Sequence, residues 1–162
     1  MSAKIVSLEE LAAISEKLRA AGKKLVVTNG CFDLLHLGHV KYLQAARDLG
    51  DALAVGINSD ASVRALKGQG RPLNAERDRA AVVAALACVD YVTIFSEERA
   101  TRFLTAAHPA IYVKGGDYKT NTLNREERAA LERMGTEIRI LPLEVGYSTS
   151  GMIERLRKIS AL

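Results

Sequence analysis

Five short apolar runs alternate along this chain with stretches that carry helix signals. The runs cover residues 24–29, 52–57, 91–95, 110–113 and 136–141. Apolar runs of four to eight residues, bounded by turn residues, are typical of buried strands. Five strands are therefore predicted, each separated from the next by at least one helix.

The helices are predicted from their start and stop signals. Ser7 and Glu10 form a capping box for a helix over about 7–21, and residues 124–127 resemble a second capping box. Further caps are predicted at Ser59 or Asp60, at Asn74, and at Ser96 for a helix from 97 to about 107. The helix after the first strand should end near Gly50, the helix after Asn124 near Gly135, and the last helix should cover 152–159.

Alternation of strands and helices from end to end indicates an α/β fold. Such chains build a parallel sheet with helices on both faces, joined by right-handed crossovers. We expect a Rossmann-like, doubly wound sheet of about five strands. No repeat or linker divides the sequence, so we expect a single domain over residues 1–162, with the N-terminal helix at about 7–21 and the core at about 24–159.

Composition narrows the possible partners. The net charge of the 162 residues is +4, with no run of Lys or Arg and only 5% aromatic residues, so a nucleic-acid surface is not expected. No apolar run approaches a membrane span, and the acidic start at Glu9 and Glu10 is unlike a signal peptide, so we expect a cytoplasmic protein. Cys31 and Cys88 are too few for a disulfide scaffold or a zinc cage.

Polar signatures follow three of the predicted strands. Residues 29–39 follow the first strand, 115–117 the fourth, and 148–150 lie after the fifth. Ligands of doubly wound sheets bind beyond the carboxyl ends of the strands, where the strand order reverses. Signatures that are far apart in sequence should therefore meet at one edge of the sheet.

The first signature contains two histidines, His36 and His39, with Gly38 between them, where a strand leads into a helix. They are interpreted in three ways: as surface histidines, as zinc ligands, or as phosphate-binding groups. Zinc is disfavoured because no Glu lies between them and His108 is the only other histidine. Phosphate is favoured because a helix N-terminus attracts anions and Gly38 permits close approach.

These residues resemble a known superfamily. The pattern Gly30-x-Phe32-Asp33-x-x-His36-x-Gly38-His39 resembles the H-x-G-H nucleotidyltransferases, and Ser148-Thr149-Ser150 resembles their second signature. Within the cytidylyltransferase-like branch, residues 67–74, Arg79 and residues 113–118 resemble the D-glycero-β-D-manno-heptose 1-phosphate adenylyltransferases. The similarity covers about residues 24–159.

The resemblance implies the conversion of ATP and heptose 1-phosphate to ADP-heptose and pyrophosphate, for lipopolysaccharide core heptose. It implies Mg²⁺ carried by ATP without a metal site on the protein, and a homodimer. The implied catalytic residues are His36, His39 and Lys67. The implied sugar-phosphate-binding residues are Asn29, Asp33 and Arg71. The implied nucleotide-binding residues are Gly30, Cys31, Phe32, Gly38, His39, Lys67, Arg79, Gly115, Asp117, Ser148, Thr149 and Ser150.

Each of these signatures also has a structural interpretation. Lys67 and Arg71 could be ordinary loop cations, and Arg79 a surface salt-bridge residue. Residues 148–150 could be a plain helix cap, and 115–117 a tight turn.

The sequence departs from the pattern in two places. The glycerol-phosphate and choline-phosphate cytidylyltransferases carry an arginine before the Ser/Thr turn, whereas residues 143–147 contain none. Ser150 stands where threonine is usual. The missing arginine favours the heptose branch. The alternatives are another phosphorylated acceptor (glycerol phosphate or ethanolamine phosphate, with ATP or CTP) and a non-enzymatic nucleotide-binding sensor.

Overall fold

The computed structural model describes residues 3–116 and 123–160, apart from the side chain of Ser160. The strands are β1 (Leu25–Gly30), β2 (Ala52–Asn58), β3 (Tyr91–Phe95), β4 (Ile111–Gly115) and β5 (Glu137–Leu141). The helices are α1 (Leu8–Ala20), α2 (Leu37–Arg47), α3 (Asp60–Lys67), α4 (Glu76–Ala84), α5 (Thr101–Ala107), α6 (Arg125–Arg133) and α7 (Thr149–Ser160). The predicted α/β class and the five strands are confirmed, with shifts of one or two residues at most ends.

The strands form one parallel sheet in the order β3-β2-β1-β4-β5. On one side β1 pairs with β2, with Leu25 opposite Ala52, and on the other side it pairs with β4, with Val26 opposite Ile111. The chain therefore winds outward from β1 in one direction and, after β3, returns to build in the other. The strand order reverses between β1 and β4, which is where a ligand crevice is expected in this fold.

Both faces of the sheet are covered, because alternate side chains of each strand point to opposite sides. Val26, Val55 and Val113 belong to a buried cluster that α2 and α4 complete. Val27 and Tyr112 belong to a second cluster, completed by α1, α5 and α6. The central strands read as continuous apolar runs because both of their faces are buried.

The helix starts show where local signals hold and where they fail. Ser7 and Glu10 form the predicted capping box, and the Asn124 side chain accepts from the backbone N–H groups of Glu126 and Glu127. The second box is not completed, because Glu127 accepts instead from the backbone N–H of Ala100. The cap predicted at Ser96 is wrong: α5 begins at Thr101.

The cap predicted at Asn74 is also wrong. The N-cap of α4 is Ala75, which makes no side-chain cap hydrogen bond. The Asn74 side chain donates instead to the backbone carbonyl of Asp33, 2.6 Å away. The Asn74 side chain, which the local pattern predicts as a helix cap, thus forms a long-range hydrogen bond instead.

No helix in the described part of the chain is long and apolar enough to cross a membrane. The single-domain boundary at 1–162 stays a prediction.

Candidate active site

A cleft of about 800 Å³ opens at the carboxyl ends of the strands. It brings together nearly all of the residues that the sequence nominated, from segments far apart in the chain. Those lining it are Asn29, Gly30, Cys31, Phe32, Asp33, His36, Gly38, His39, Lys67, Arg71, Gly115, Ser148, Thr149 and Ser150. The meeting of the three signatures at one edge is what the parallel topology dictates.

His36 and His39 form a stacked pair in the cleft. Their ring centroids are 3.8 Å apart with an interplanar angle of 22°. Both Nδ1 atoms are buried and lack a hydrogen-bond partner among the described residues. Buried polar atoms without partners are uncommon in folded proteins, so hydrogen-bonding capacity is left unused at this pair.

Burial lowers the pKa of both histidines. Desolvation lowers the pKa of His36, and desolvation together with the nearby His36 lowers the pKa of His39 to about 4. At neutral pH the rings of the ligand-free protein are therefore uncharged, and each has one N–H donor and one acceptor nitrogen. An anion in the cleft would reverse this effect, because a negative charge favours the protonated ring.

Gly38 allows the rings to pack tightly. A Cβ atom at this position would lie 3.0 Å from two atoms of the His36 ring and 3.1 Å from the Tyr147 Cβ. A larger residue would have to displace the histidine or the segment around Tyr147. The glycine between the histidines thus makes room for protein groups, and the anion contact expected from the sequence stays a prediction.

Asp33 is the anchor of the loop before α4. Its carboxylate is buried and accepts hydrogen bonds from Arg71 Nε at 2.8 Å and from the backbone N–H groups of Leu73 and Asn74 at 2.9 Å. Burial alone would raise the pKa of this carboxyl, but the two backbone N–H groups and Arg71 outweigh it and hold the pKa below its usual value. Asp33 is thereby ionised and holds Arg71 at the cleft.

Cys31 and Phe32 form part of the wall beside the histidines. The Phe32 ring lies 5.3 Å from that of His39, and its backbone has a φ of +46°. A Cβ at Gly30 would lie 3.0 Å from the Phe32 ring, so the glycine is needed to seat it. Burial raises the pKa of the Cys31 thiol, so this side chain is a neutral part of the wall at pH 7.

Arg79 is not brought to the cleft lining. Its guanidinium is fully buried and bonded to Asp60 at 2.8 Å, to the Asn74 carbonyl at 2.9 Å and to the Cys31 carbonyl at 2.6 Å. The salt-bridge interpretation is right about the type of contact, but Arg79 itself is buried rather than at the surface. Through these hydrogen bonds Arg79, which belongs to α4, connects the loop after β1 to α3 and to the residues before α4.

Two further groups complete the rim. Lys67 is exposed at the last residue of α3 and lines the cleft. Asn29 accepts a hydrogen bond from the Tyr112 hydroxyl at 2.7 Å.

The start of α7 contacts the loop between β1 and α2 at the cleft. Ser148 accepts from the backbone N–H of Gly151 at 3.0 Å, and the Thr149 hydroxyl donates to the Leu34 carbonyl at 3.3 Å. Two of the three hydroxyls thus have structural contacts, and that of Ser148 is the helix cap considered from the sequence. Asp117 lies outside the described residues, so its predicted contact stays a prediction.

The cleft also contains residues that sequence reasoning missed. They are Tyr42, Asn58, Leu66, Glu98, Arg99, Lys114, Leu123, Asn124, Glu127, Leu143, Glu144 and Tyr147. Lys114 had a signal, because it directly precedes the Gly115-Gly116 turn within a quoted motif. Glu98 and Arg99 had none, since they follow β3 in a stretch that the local pattern assigned to a helix.

The described carboxylates do not form a metal cage. No group of three or more His, Cys, Asp or Glu side chains within residues 3–116 and 123–160 is placed to hold a metal ion. Asp33 is committed to Arg71, and Glu144 to Lys41 at 2.7 Å. A second cavity, of about 110 Å³, includes Ser15, Leu25 and His108 and contains no predicted site residue.

Comparison with known proteins identifies the family. Residues 27–155 match the model of a family described as cytidylyltransferase-like. The chain belongs to this family. The cytidylyltransferase-like family expected from the sequence is thereby confirmed, and the match contains the stacked histidines and the first residues of α7.

Curated relatives match nearly the whole chain. The bifunctional protein HldE of Geotalea uraniireducens is 50% identical over 155 residues, which is 96% of this chain and 31% of that protein. The bifunctional protein HldE of Geobacter metallireducens is 49% identical over 154 residues, 95% of this chain and 31% of that protein. The chain thus spans about a third of the length of these relatives.

Solved structures agree with the fold. A lipopolysaccharide core biosynthesis protein from Thermoplasma volcanium GSS1 is 27% identical and has a TM-score of 0.61, covering 76% of this chain and 98% of that one. A pantoate-β-alanine ligase from Francisella tularensis, crystallised with an ATP form and β-alanine, has a TM-score of 0.63 at 16% identity, over 99% of this chain and 79% of that one. The second likeness shows the fold alone.

Proposed function

We propose that this domain transfers an adenylyl group from ATP to D-glycero-β-D-manno-heptose 1-phosphate, releasing pyrophosphate and forming ADP-heptose. The observation that carries the proposal is the stacked, uncharged histidine pair in a cleft that also contains Lys67, Arg71 and the hydroxyls of residues 148–150. Matches at about half identity to proteins named HldE support the heptose acceptor. The name of the Thermoplasma relative supports the link to lipopolysaccharide core.

The chemistry requires positioning more than activation. A phosphate oxygen of the sugar phosphate attacks the α-phosphorus of ATP, and the bond from that phosphorus to the bridging oxygen breaks as pyrophosphate leaves. The attacking oxygen is already anionic, so no strong base is needed. Groups that donate to the α-phosphate and to the leaving oxygen would stabilise the transition state, which is the role we propose for His36 and His39.

The histidines gain protons as ATP binds in this proposal. Their pKa values are lowered by burial in the ligand-free protein, and triphosphate charge next to them favours protonation. The orphaned Nδ1 atoms give each ring hydrogen-bonding capacity that the described protein groups do not use. Proton uptake on ATP binding is therefore part of the proposal.

The remaining groups divide between the two substrates. Lys67, Gly115 and the hydroxyls of residues 148–150 are proposed to contact the nucleotide, with the wall formed by residues 30–32 beside it. Asn29 and Arg71 are proposed to contact the sugar phosphate. Asp33 would act through Arg71, because its own carboxylate is buried and fully engaged.

Mg²⁺ is proposed to enter with ATP. Among the described residues, four carboxylates line the cleft, but Asp33 and Glu144 are ion-paired, Glu127 accepts from the Ala100 N–H, and no group of three or more possible ligands is placed to hold a metal ion. This donor set does not fit a metal held by the protein. Magnesium commonly keeps its waters and binds through substrate phosphates.

A panel of acceptors tests the proposal directly. Purified protein with Mg²⁺ is supplied with heptose 1-phosphate, glycerol phosphate or ethanolamine phosphate, each with ATP and with CTP. We expect pyrophosphate release with ATP and heptose 1-phosphate. Pyrophosphate release only with another acceptor would replace heptose 1-phosphate as the proposed acceptor, and release only with CTP would replace ATP. ATP binding without turnover on any acceptor would favour a nucleotide sensor.

Assembly and location belong to the proposal as well. We propose a cytoplasmic homodimer, because both substrates are soluble phosphates and α7 exposes the apolar side chains of Leu156 and Ile159. Light scattering after gel filtration would measure the mass of the particle. A monomer at micromolar concentration would contradict the dimer.

A further inference from the structure

The segment between β5 and α7 packs on the start of α2. We call residues 142–148 the cover segment. Lys41 Nζ in α2 lies 2.7 Å from Glu144 Oε1 in the cover segment. Just beyond the segment, Thr149 donates to the Leu34 carbonyl. Two polar contacts therefore bracket the part of the segment that faces the histidines.

Tyr147 occupies the position between these two contacts. Its ring lies 6.2 Å from the His36 ring, with an interplanar angle of 28°. Its Cβ is so close to Gly38 that a Cβ there would be 3.1 Å away. The His36 ring thus has two aromatic neighbours, His39 and Tyr147, and Tyr147 is 43% exposed.

This arrangement accounts for the partial burial of a histidine near the protein surface. His36 has its Nδ1 buried, and burial lowers its pKa. Besides His39, the ring of Tyr147 is the aromatic group that the described residues stack near His36.

We propose that Tyr147, held in place by the Lys41–Glu144 ion pair, is a positioning residue that excludes water from His36 and keeps its ring stacked on His39. This proposal deepens the proposed function and rests on it only for its effect on turnover. The cover itself is a property of the fold and can be tested without any substrate.

Other ionisable groups near His36 define what the test must hold constant. The elements packed against it present Cys31 and Asp33 from the loop after β1, His39 and Lys41 from α2, and Glu144 and Tyr147 from the cover segment. Asp33 is paired with Arg71, and Lys41 with Glu144. Replacing Tyr147 by Phe or Ala leaves the other groups in place.

A histidine titration followed by NMR tests the cover without substrate. In Tyr147→Ala we expect the pKa of His36 to rise by about half a unit or more toward its ordinary value, because water regains access to the ring. Tyr147→Phe keeps the ring and should titrate like the parent protein. Val82→Ala, which removes an exposed apolar side chain of α4, is the matched control.

Two results would overturn the proposed role of Tyr147. One is an unchanged pKa of His36 in Tyr147→Ala. The other is a Tyr147→Phe variant that titrates like Tyr147→Ala, since the hydroxyl rather than the ring would then be responsible. Neither depends on the identity of the acceptor, so a failure here differs from a failure of the acceptor panel.

Kinetics test the role of the ion pair. The partners are 49% and 39% exposed, so the pair is weak and Glu144→Gln should lower kcat/KM only about two- to fivefold. The exchange Lys41→Glu with Glu144→Lys should recover most of that loss. Glu132→Gln, which removes the equally short Arg128–Glu132 pair on α6, should leave kcat/KM unchanged.

Discussion

At the scale of single residues, His39→Ala should separate catalysis from stability. We expect kcat to fall by about a hundredfold or more, as is typical when one transition-state donor is removed. Because the His39 Nδ1 makes no described hydrogen bond, the melting temperature at pH 7 should change by only about 2 °C. Steady-state pyrophosphate release and thermal melts measure the two quantities. A large loss of melting temperature with unchanged kcat would contradict the catalytic role.

The sequence predicted which side chains meet at the cleft, but not what each one does there. The histidines were identifiable because they stand at a strand–helix junction with a glycine between them. Their stacking was not predictable, since it depends on Gly38 lying under Tyr147, about 110 positions later in the chain. Asp33 and Arg79 were nominated as ligand contacts, but long-range hydrogen bonds engage both of them.

At the scale of elements, the strands were predicted well and several helix starts poorly. Central strands are buried on both faces, so their apolar runs are visible without any tertiary information. Helix caps depend on what else competes for the polar side chain. Asn74 is drawn to Asp33, and Glu127 to Ala100, so neither acts as its local pattern predicts.

Arg79 should behave as a structural residue that joins elements. Arg79→Met leaves Asp60 and two backbone carbonyls without a donor, which should lower the free energy of unfolding by about 2–4 kcal/mol. Arg77→Met, at an exposed position of the same helix, should change it by less than about 0.5 kcal/mol. Urea unfolding compares them. Equal stability of the two variants would contradict the structural role of Arg79.

At the scale of the whole molecule, the fold class and the common edge of the three signatures were predictable from alternation alone. Parallel strands all present their carboxyl ends at one edge, so polar residues after different strands must converge. The rest of the cleft was not predictable, because Glu98, Arg99 and Glu144 reach it through loop paths that no local pattern encodes.

The histidine pair should make the stability of the whole protein depend on pH. The folded pKa of His39, about 4, lies below its ordinary value of 6.5, so the unfolded chain takes up a proton first as the pH falls. The free energy of unfolding that depends on an uncharged His39 is fully present above about pH 6.5. It is lost as the pH falls from about 6.5 toward about 4. Because His39 is partly accessible to solvent, the effect is smaller than its pKa difference alone would give. We expect the free energy of unfolding to fall by about 1–2 kcal/mol through His39.

Urea unfolding at about pH 7 and about pH 4.5 measures this dependence. The difference between the two conditions should be smaller in His39→Gln than in the parent protein by that amount. The lowered pKa of Asp33 acts only below its ordinary value of 3.8, outside this range. An identical pH dependence in both proteins would rule out the buried, uncharged state of His39.

The pairing of β1 with β4 also has a consequence for protein synthesis. The ribosome delivers β1, the histidines and β2 first, but the opposite wall of the cleft arrives much later, and the contact of Thr149 with Leu34 joins positions 115 residues apart. Such non-local contacts form late, because the intervening chain must first be closed into a loop. A nascent chain therefore carries both imidazoles long before α7 can face them, so the proposed active site is completed only once α7 has been synthesised.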